Sequence, residues 1–181
     1  MPHAQLRHRM GDWFAGNSKR LPPSVRTDSL NIAIRELCRW DLRLNELNET
    51  FDTGVGQNTY DLPALWLRPY EIWYLDPATQ SGISEVDFML VDEFDNLYPD
   101  STKTGKPRHY TAWGGSLYLG PTPSAVLTMH HYYYGRMADL AGDADHNPFT
   151  DQAWETVLFK ALGDTTRYGL EDERIPVWKQ R

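Results

Sequence analysis

Between residues 49 and 134 the apolar side chains follow a two-residue alternation, broken by Gly and Pro about every eight to twelve positions. The segments on either side repeat at three and four instead. This switch of period is the strongest constraint on the fold. It predicts an α+β protein in which an antiparallel sheet system lies between helices contributed by both ends of the chain.

Each helical end can be delimited. Residues 4–14 read as a short helix, stopped by Gly16, Asn17 and Ser18 and by Leu21-Pro22-Pro23. Leu30, Ala33, Ile34, Leu37 and Cys38 make one face of a helix expected over residues 23–42, opened by Pro23 or by Ser24, Thr27 and Asp28, with Arg35 and Arg39 on another face. Trp154, Val157, Leu158, Ala161, Leu162, Thr165 and Tyr168 form the stripe of a helix over residues 150–168, stopped by Gly169 and followed by a short helix over 171–178.

Within the centre, residues 50–53 and 58–63 are expected to pair as a hairpin about Gly54-Val55-Gly56-Gln57, and residues 69–75 to form a strand that Asp76-Pro77 ends. Residues 109–113 and 116–119 flank Gly114-Gly115, a pair that tolerates the positive φ of a tight turn. Residues 126–134 are expected beside that hairpin, with His130, Tyr132 and Tyr134 on one face and Met129, His131 and Tyr133 on the other. Asp92 to Tyr98 reads as one or two helical turns, its acids placed at the positive end of the helix dipole.

Composition excludes some classes of function. With 40% apolar residues and 7 Trp, 10 Tyr and 6 Phe among 181, the chain is too apolar and aromatic for a disordered acidic polypeptide. No apolar run exceeds four residues, as in Phe88-Met89-Leu90-Val91, which falls far short of a bilayer span. Arg7, Arg9 and Asp12 interrupt any signal core, and the lone Cys38 cannot form an internal disulfide, so a reducing cytoplasmic origin is expected. Charge is unevenly spread within the total of -7: +4 over residues 1–43, -10 over 44–147 and -1 over 148–181. An acidic middle repels phosphate backbones, so any contact with DNA should be loose.

Chemical signatures fail one by one. Gly54-Val55-Gly56 lacks the third glycine of a dinucleotide loop, and Thr104-Gly105-Lys106-Pro107 has proline where a phosphate loop needs Ser or Thr. Asp143-x-Asp145-x-Asn147 opens like a calcium loop, but Pro148 and Trp154 occupy the positions of its glycine and bidentate acid. His130 and His131 are adjacent on a strand and so point to opposite faces. Cys38 belongs to an apolar helical stripe, and Asp92, Glu93, Asp95 and Asp100 read as a solvated helix start. No enzyme, cofactor or metal is expected. The aromatics Trp66, Tyr70, Trp73, Tyr74 and Trp113 suit interface anchoring, some of them between subunits.

A series of short motifs, taken in order, carries a resemblance. Tyr60-Asp61-Leu62-Pro63 with Leu67-Arg68-Pro69, Asp92 to Pro99, Gly105-Lys106-Pro107-Arg108-His109-Tyr110 and Trp113 to Pro123 resemble the adaptor proteins of tailed-phage head-to-tail connectors; Tyr132-Tyr133-Tyr134 and Asp172-Glu173-Arg174 with Trp178 are similar too. The likeness spans residues 28–181 and leaves 1–27 without a role. It implies a structural virion protein of the portal-vertex neck, made in the host bacterial cytoplasm. Its fold would be a helical bundle from the terminal helices (1–48 and 141–181) with an inserted antiparallel β domain, sandwich-like or barrel-like, over 49–140. It also implies a homo-oligomeric ring, commonly a dodecamer, between the portal protein and a tail nozzle or tail-tube protein, loosely around the exiting double-stranded DNA and away from any membrane.

Within that frame the C-terminal segment, with Glu171, Arg174, Trp178, Lys179 and Arg181, is expected to meet the portal, since it has an aromatic anchor, basic flanks and little reason to fold back. Loops over residues 77–85 and 99–106, with Thr79, Gln80, Ser84, Ser101, Lys103 and Lys106, are expected to face the tail. Two rival readings remain: a carbohydrate-binding or carbohydrate-cleaving module using Trp66, Trp73 or Trp113, and another tail-completion or terminator protein.

Overall fold

The computed structural model describes residues 1–13, 21–76, 82–165 and 175–178, with the side chains of Ile175 and Trp178 left aside. The chain divides into two compact units, Met1–Asn45 with Arg136–Arg181, and Glu46–Gly135.

In the first unit α1 (His3–Trp13), α2 (Pro23–Leu37) and α5 (Trp154–Gly163) pack against one another. Leu6 and Met10, Leu30 and Ala33, and Val157, Ala161 and Leu162 are all buried at their contacts, as the three-and-four spacing requires. Pro23 sits in the first turn of α2, where its missing N–H costs no hydrogen bond. Buried Asn31 exchanges both halves of its amide with the Leu140 backbone, donating to the carbonyl (3.0 Å) and accepting from the N–H (2.8 Å).

Two helix expectations need correction. α2 stops at Leu37 rather than at residue 42, because the backbone turns off at Cys38 and a 3-10 turn follows at Arg43–Asn45. The helix expected from residue 150 is two helices, α4 (Pro148–Gln152) and α5, parted at Ala153, where φ is -132°. Asn147 caps α4, its side chain accepting from the Thr150 N–H while the Thr150 hydroxyl accepts from the Asn147 N–H. The proposed end of the second helix, Tyr168 with Gly169, lies outside the described residues; of the last helix, α6 (Ile175–Trp178) is described.

The second unit is a curled seven-stranded sheet in the order β1-β9-β3-β4-β6-β7-β2, built from β1 (Glu46–Asp52), β2 (Thr59–Asp61), β3 (Trp66–Leu75), β4 (Ile83–Phe88), β6 (His109–Trp113), β7 (Ser116–Gly120) and β9 (Thr128–Gly135). Helix α3 (Val91–Leu97) and a two-stranded pairing of β5 (Thr104–Gly105) with β8 (Thr122–Pro123) complete it. The inner core draws on Ile72 and Tyr74, Val86, Tyr110, Leu117 and Leu119, Leu127 and Met129, with Phe51, Tyr60 and Leu62 packed against it.

The β6–β7 hairpin forms as expected, with Gly114 and Gly115 at φ 61° and 85°. Three pairings differ from expectation. Residues 50–53 and 58–63 do not form a hairpin: β1 pairs with β9 and β2 with β7, putting the two segments on opposite edges. β9 lies between β1 and β3 instead of beside the 109–119 hairpin. The sheet is mixed rather than purely antiparallel, because β4 and β6 run parallel. The free edges are short in β2 and carry Glu46, Glu49 and Asp52 in β1, which discourages edge-to-edge pairing.

Candidate assembly surfaces

The groups tested for chemistry are engaged in local structure. Asp145 accepts the backbone N–H groups of Ala141 and Gly142, which hold its carboxyl below the usual range; Asp143 pairs with Arg7, and Asn147 caps α4. Three oxygens that a calcium ion would need are thus turned to other partners. Asp100 accepts from the Thr102 hydroxyl and N–H, while Asp92, Glu93 and Asp95 stand exposed on α3.

His130 and His131 do point to opposite faces: His130 stacks flat on Trp73 with centroids 3.9 Å apart, and His131 is 1% exposed, its pKa lowered to about 4 by burial. Burial likewise pushes the Cys38 thiol up. Among the described residues no group of three or more His, Cys, Asp or Glu is placed to hold a metal ion. No described helix is long and apolar enough to cross a membrane. Trp66 opens β3, Trp73 lies seven residues along it, and Trp113 stands 64% exposed at the β6–β7 turn, so the three sit at separate places on the sheet.

Three of the motifs that carried the resemblance, 92–99, 105–110 and 113–123, converge on one construction. Tyr98, at the end of α3, bonds His109 Nδ1 on β6 through its hydroxyl at 2.6 Å and packs on Phe94. Both rings cover Gly120, where a Cβ would lie 2.5 Å from Tyr98 Cδ2 and 2.9 Å from Phe94 Cε2. The 99–106 segment is strapped rather than loose: Thr104 and Gly105 pair with Thr122 and Pro123, and the Thr122 hydroxyl donates to the Ser101 carbonyl. Ser101, Lys103 and Lys106 are exposed on it; Lys106 pairs with the nearly buried Asp76, which raises its pKa. Ser84 is on strand β4, opposite Tyr74, and not in a loop, because the loop expected over 77–85 gives way to β4 at Ile83. Thr79 and Gln80 lie outside the described residues.

The outer face of the sheet carries a stripe of aromatics. Trp73 and His130 are register partners; Tyr70, left without a partner at an irregularity in β3, meets Tyr134 with centroids 5.3 Å apart. Beyond Trp73 the partners Leu75 and Ile83 are 59% and 63% exposed. At the C-terminus, α6 lies beside α5, so the described part of that segment does fold back; Val177 is 54% exposed. Glu171, Arg174, Lys179 and Arg181 are outside the described residues, and of Trp178 only the backbone is described. Sequence reasoning missed Trp40, 68% exposed just past α2; a lone Trp among charged residues after an apolar stripe was the available signal.

The exposed aromatic, aliphatic and charged side chains of the two units are suited to contacts with other proteins. The chain belongs to the SU10 adaptor protein family, phage head-to-tail adaptors, which it matches over residues 1–176. That family is a structural one of the phage virion neck. Residues 1–27, without a role from motifs alone, fall inside the match, and α1 packs there on α2 and α5. A search of curated proteins finds no match.

Proposed function

We propose that the chain is the adaptor ring of the connector, commonly a dodecamer, seated between the portal and a tail nozzle or tail-tube protein around the DNA exit channel. The family match over residues 1–176 carries this reading. The terminal helices form the bundle that carries the β domain. The segment with Glu171, Arg174, Trp178, Lys179 and Arg181 meets the portal. The region with Thr79, Gln80, Ser84, Ser101, Lys103 and Lys106 faces the tail.

DNA passes without adhering. Residues 46–135 hold twelve acidic against four basic side chains, so a phosphate polyanion gains nothing from resting on that surface. A basic inner ring surface would refute the sliding argument. Electron microscopy of the purified protein with and without its portal ring tests the whole reading: added density as a ring on the portal is expected, and a solitary subunit or no binding overturns it.

A further inference from the structure

Past the end of α2 the backbone is held in place by one buried side chain. Asn45, fully buried, donates to the carbonyls of Cys38 (3.0 Å) and Trp40 (3.3 Å) and accepts from the Leu42 N–H (3.1 Å). These bonds fix residues 38–42 in a tight loop with Trp40 at its tip. Trp40 is the most exposed large apolar side chain described, at 68%, and exposed Arg39 and Arg43 flank it, with Asp41 between. A Trp beside arginine on a backbone already fixed is the composition of an interface anchor, because little backbone entropy remains to be lost on docking.

The other unit offers a matching surface. Leu75 and Ile83 face each other across β3 and β4, 59% and 63% exposed; the next pair on the same face is Trp73 with Glu85, and Asp87 stands exposed two residues further along. An apolar patch bordered by carboxylates suits an apolar knob bordered by guanidiniums, in a sheet unit whose acids outnumber its bases threefold.

We propose that the Trp40 loop of one copy docks on the Leu75–Ile83 face of the next copy. Knob and patch are different surfaces of one polypeptide, so a copy that gives its knob to one neighbour and its patch to another pairs head-to-tail, and such pairing forms a ring where its rotation closes. The proposal rests on the ring reading and names the contact that joins its subunits.

The test uses the full chain carrying a benzophenone photo-crosslinker at position 40, as an equal mixture of light and nitrogen-15 copies, alone at high concentration and bound to the portal ring. Mixed-isotope cross-links from position 40 into residues 71–87 are expected. Cross-links confined to one isotope, cross-links to another surface or to the portal, or none in either sample overturn the proposal. R39E/R43E and E85K/D87K should each lower the mixed-isotope yield about tenfold, and their combination should recover it; failure to recover counts against the contact. Rings on the portal with cross-links elsewhere defeat this contact alone, whereas absence of any ring defeats the adaptor reading.

Discussion

Phe51 and Tyr60, on the two edge strands of the sheet, meet with ring centroids 5.1 Å apart. The edges β1 and β2 are six positions apart in the ladder yet close over the same core, so the curl is held by side chains where no ladder bonds join the strands. The Tyr60 hydroxyl adds a local clasp, accepting from the Gly54 N–H (3.1 Å) and donating to the Gln57 carbonyl (2.7 Å). Phe51→Ala should cost about 2–3 kcal/mol. Tyr60→Phe should cost about 1 kcal/mol. A Phe51/Tyr60 double-mutant cycle by urea unfolding should give a coupling of about 1 kcal/mol; additive losses would show that the rings do not act together.

Gly120 is required for lack of space. Gly120→Ala drives a methyl into the Tyr98 ring and should destabilise by about 1–3 kcal/mol. Adding Tyr98→Ala should cost less in that background than in the wild type, because removing the ring also relieves the clash. Equal costs in both backgrounds, read from thermal unfolding, would remove the ring as the cause.

His131 makes stability depend on pH. Its folded pKa is near 4 against an ordinary 6.5, because burial disfavours the cation, so the unfolded chain takes up a proton as pH falls through 6.5 while the folded one does not. Its contribution is full above pH 6.5 and drains away toward pH 4, about 3 kcal/mol in all. Glu49 lies 4.0 Å from the ring, and desolvation raises its own pKa. Denaturant unfolding of His131→Leu should lose most of the wild-type decline between pH 7 and 4.5; an unchanged decline would assign it to other groups.

Attachment to the two neighbours should separate genetically. Because α6 lies beside α5, deleting all of residues 171–181 would also strip packing from the helical unit, so Trp178→Ala with removal of residues 179–181 is the cleaner variant. It should leave helicity and melting unchanged and abolish portal docking in a pull-down. Normal docking would exclude this segment.

Serine at Lys103 and Lys106 with glycine at Ser101 should weaken tail attachment while rings still form on the portal. The Lys106–Asp76 pair is lost at the same time, so melting must be followed as a control. Full tail attachment at unchanged stability would turn the strapped segment away from the tail.

Elements set by neighbours in sequence were legible, and pairings set by distant neighbours were not. The Gly114-Gly115 hairpin needs only the positive φ of two glycines, and the alternation of β9 shows directly in its burial. Residues 50–63 misled because a glycine-containing turn between two strand-like runs has one local appearance, whether the runs pair or sit at the two edges of a curled sheet. The parallel β4–β6 pair has no signal in either strand. The break at Ala153 is equally silent, since Phe149, Val157 and Ala161 keep their spacing across it. Of the surface sites, the aromatic stripe followed from the alternation, whereas the exposure of Trp40 depends on the reach of Asn45 and could not be read from spacing.

Strands β4 and β6 lie side by side in the same direction, with Asp87 beside His109 and Phe88 beside Tyr110. Residues 89–108 therefore form a detour that leaves the sheet and re-enters it at adjoining rungs, holding α3 and β5 within it. A change of length in its exposed turn at residues 99–103, between α3 and β5, is cheap, about 0.6 kcal/mol for each doubling, and leaves the β4–β6 rungs in place. That turn can take on new length and sequence while the sheet keeps its register.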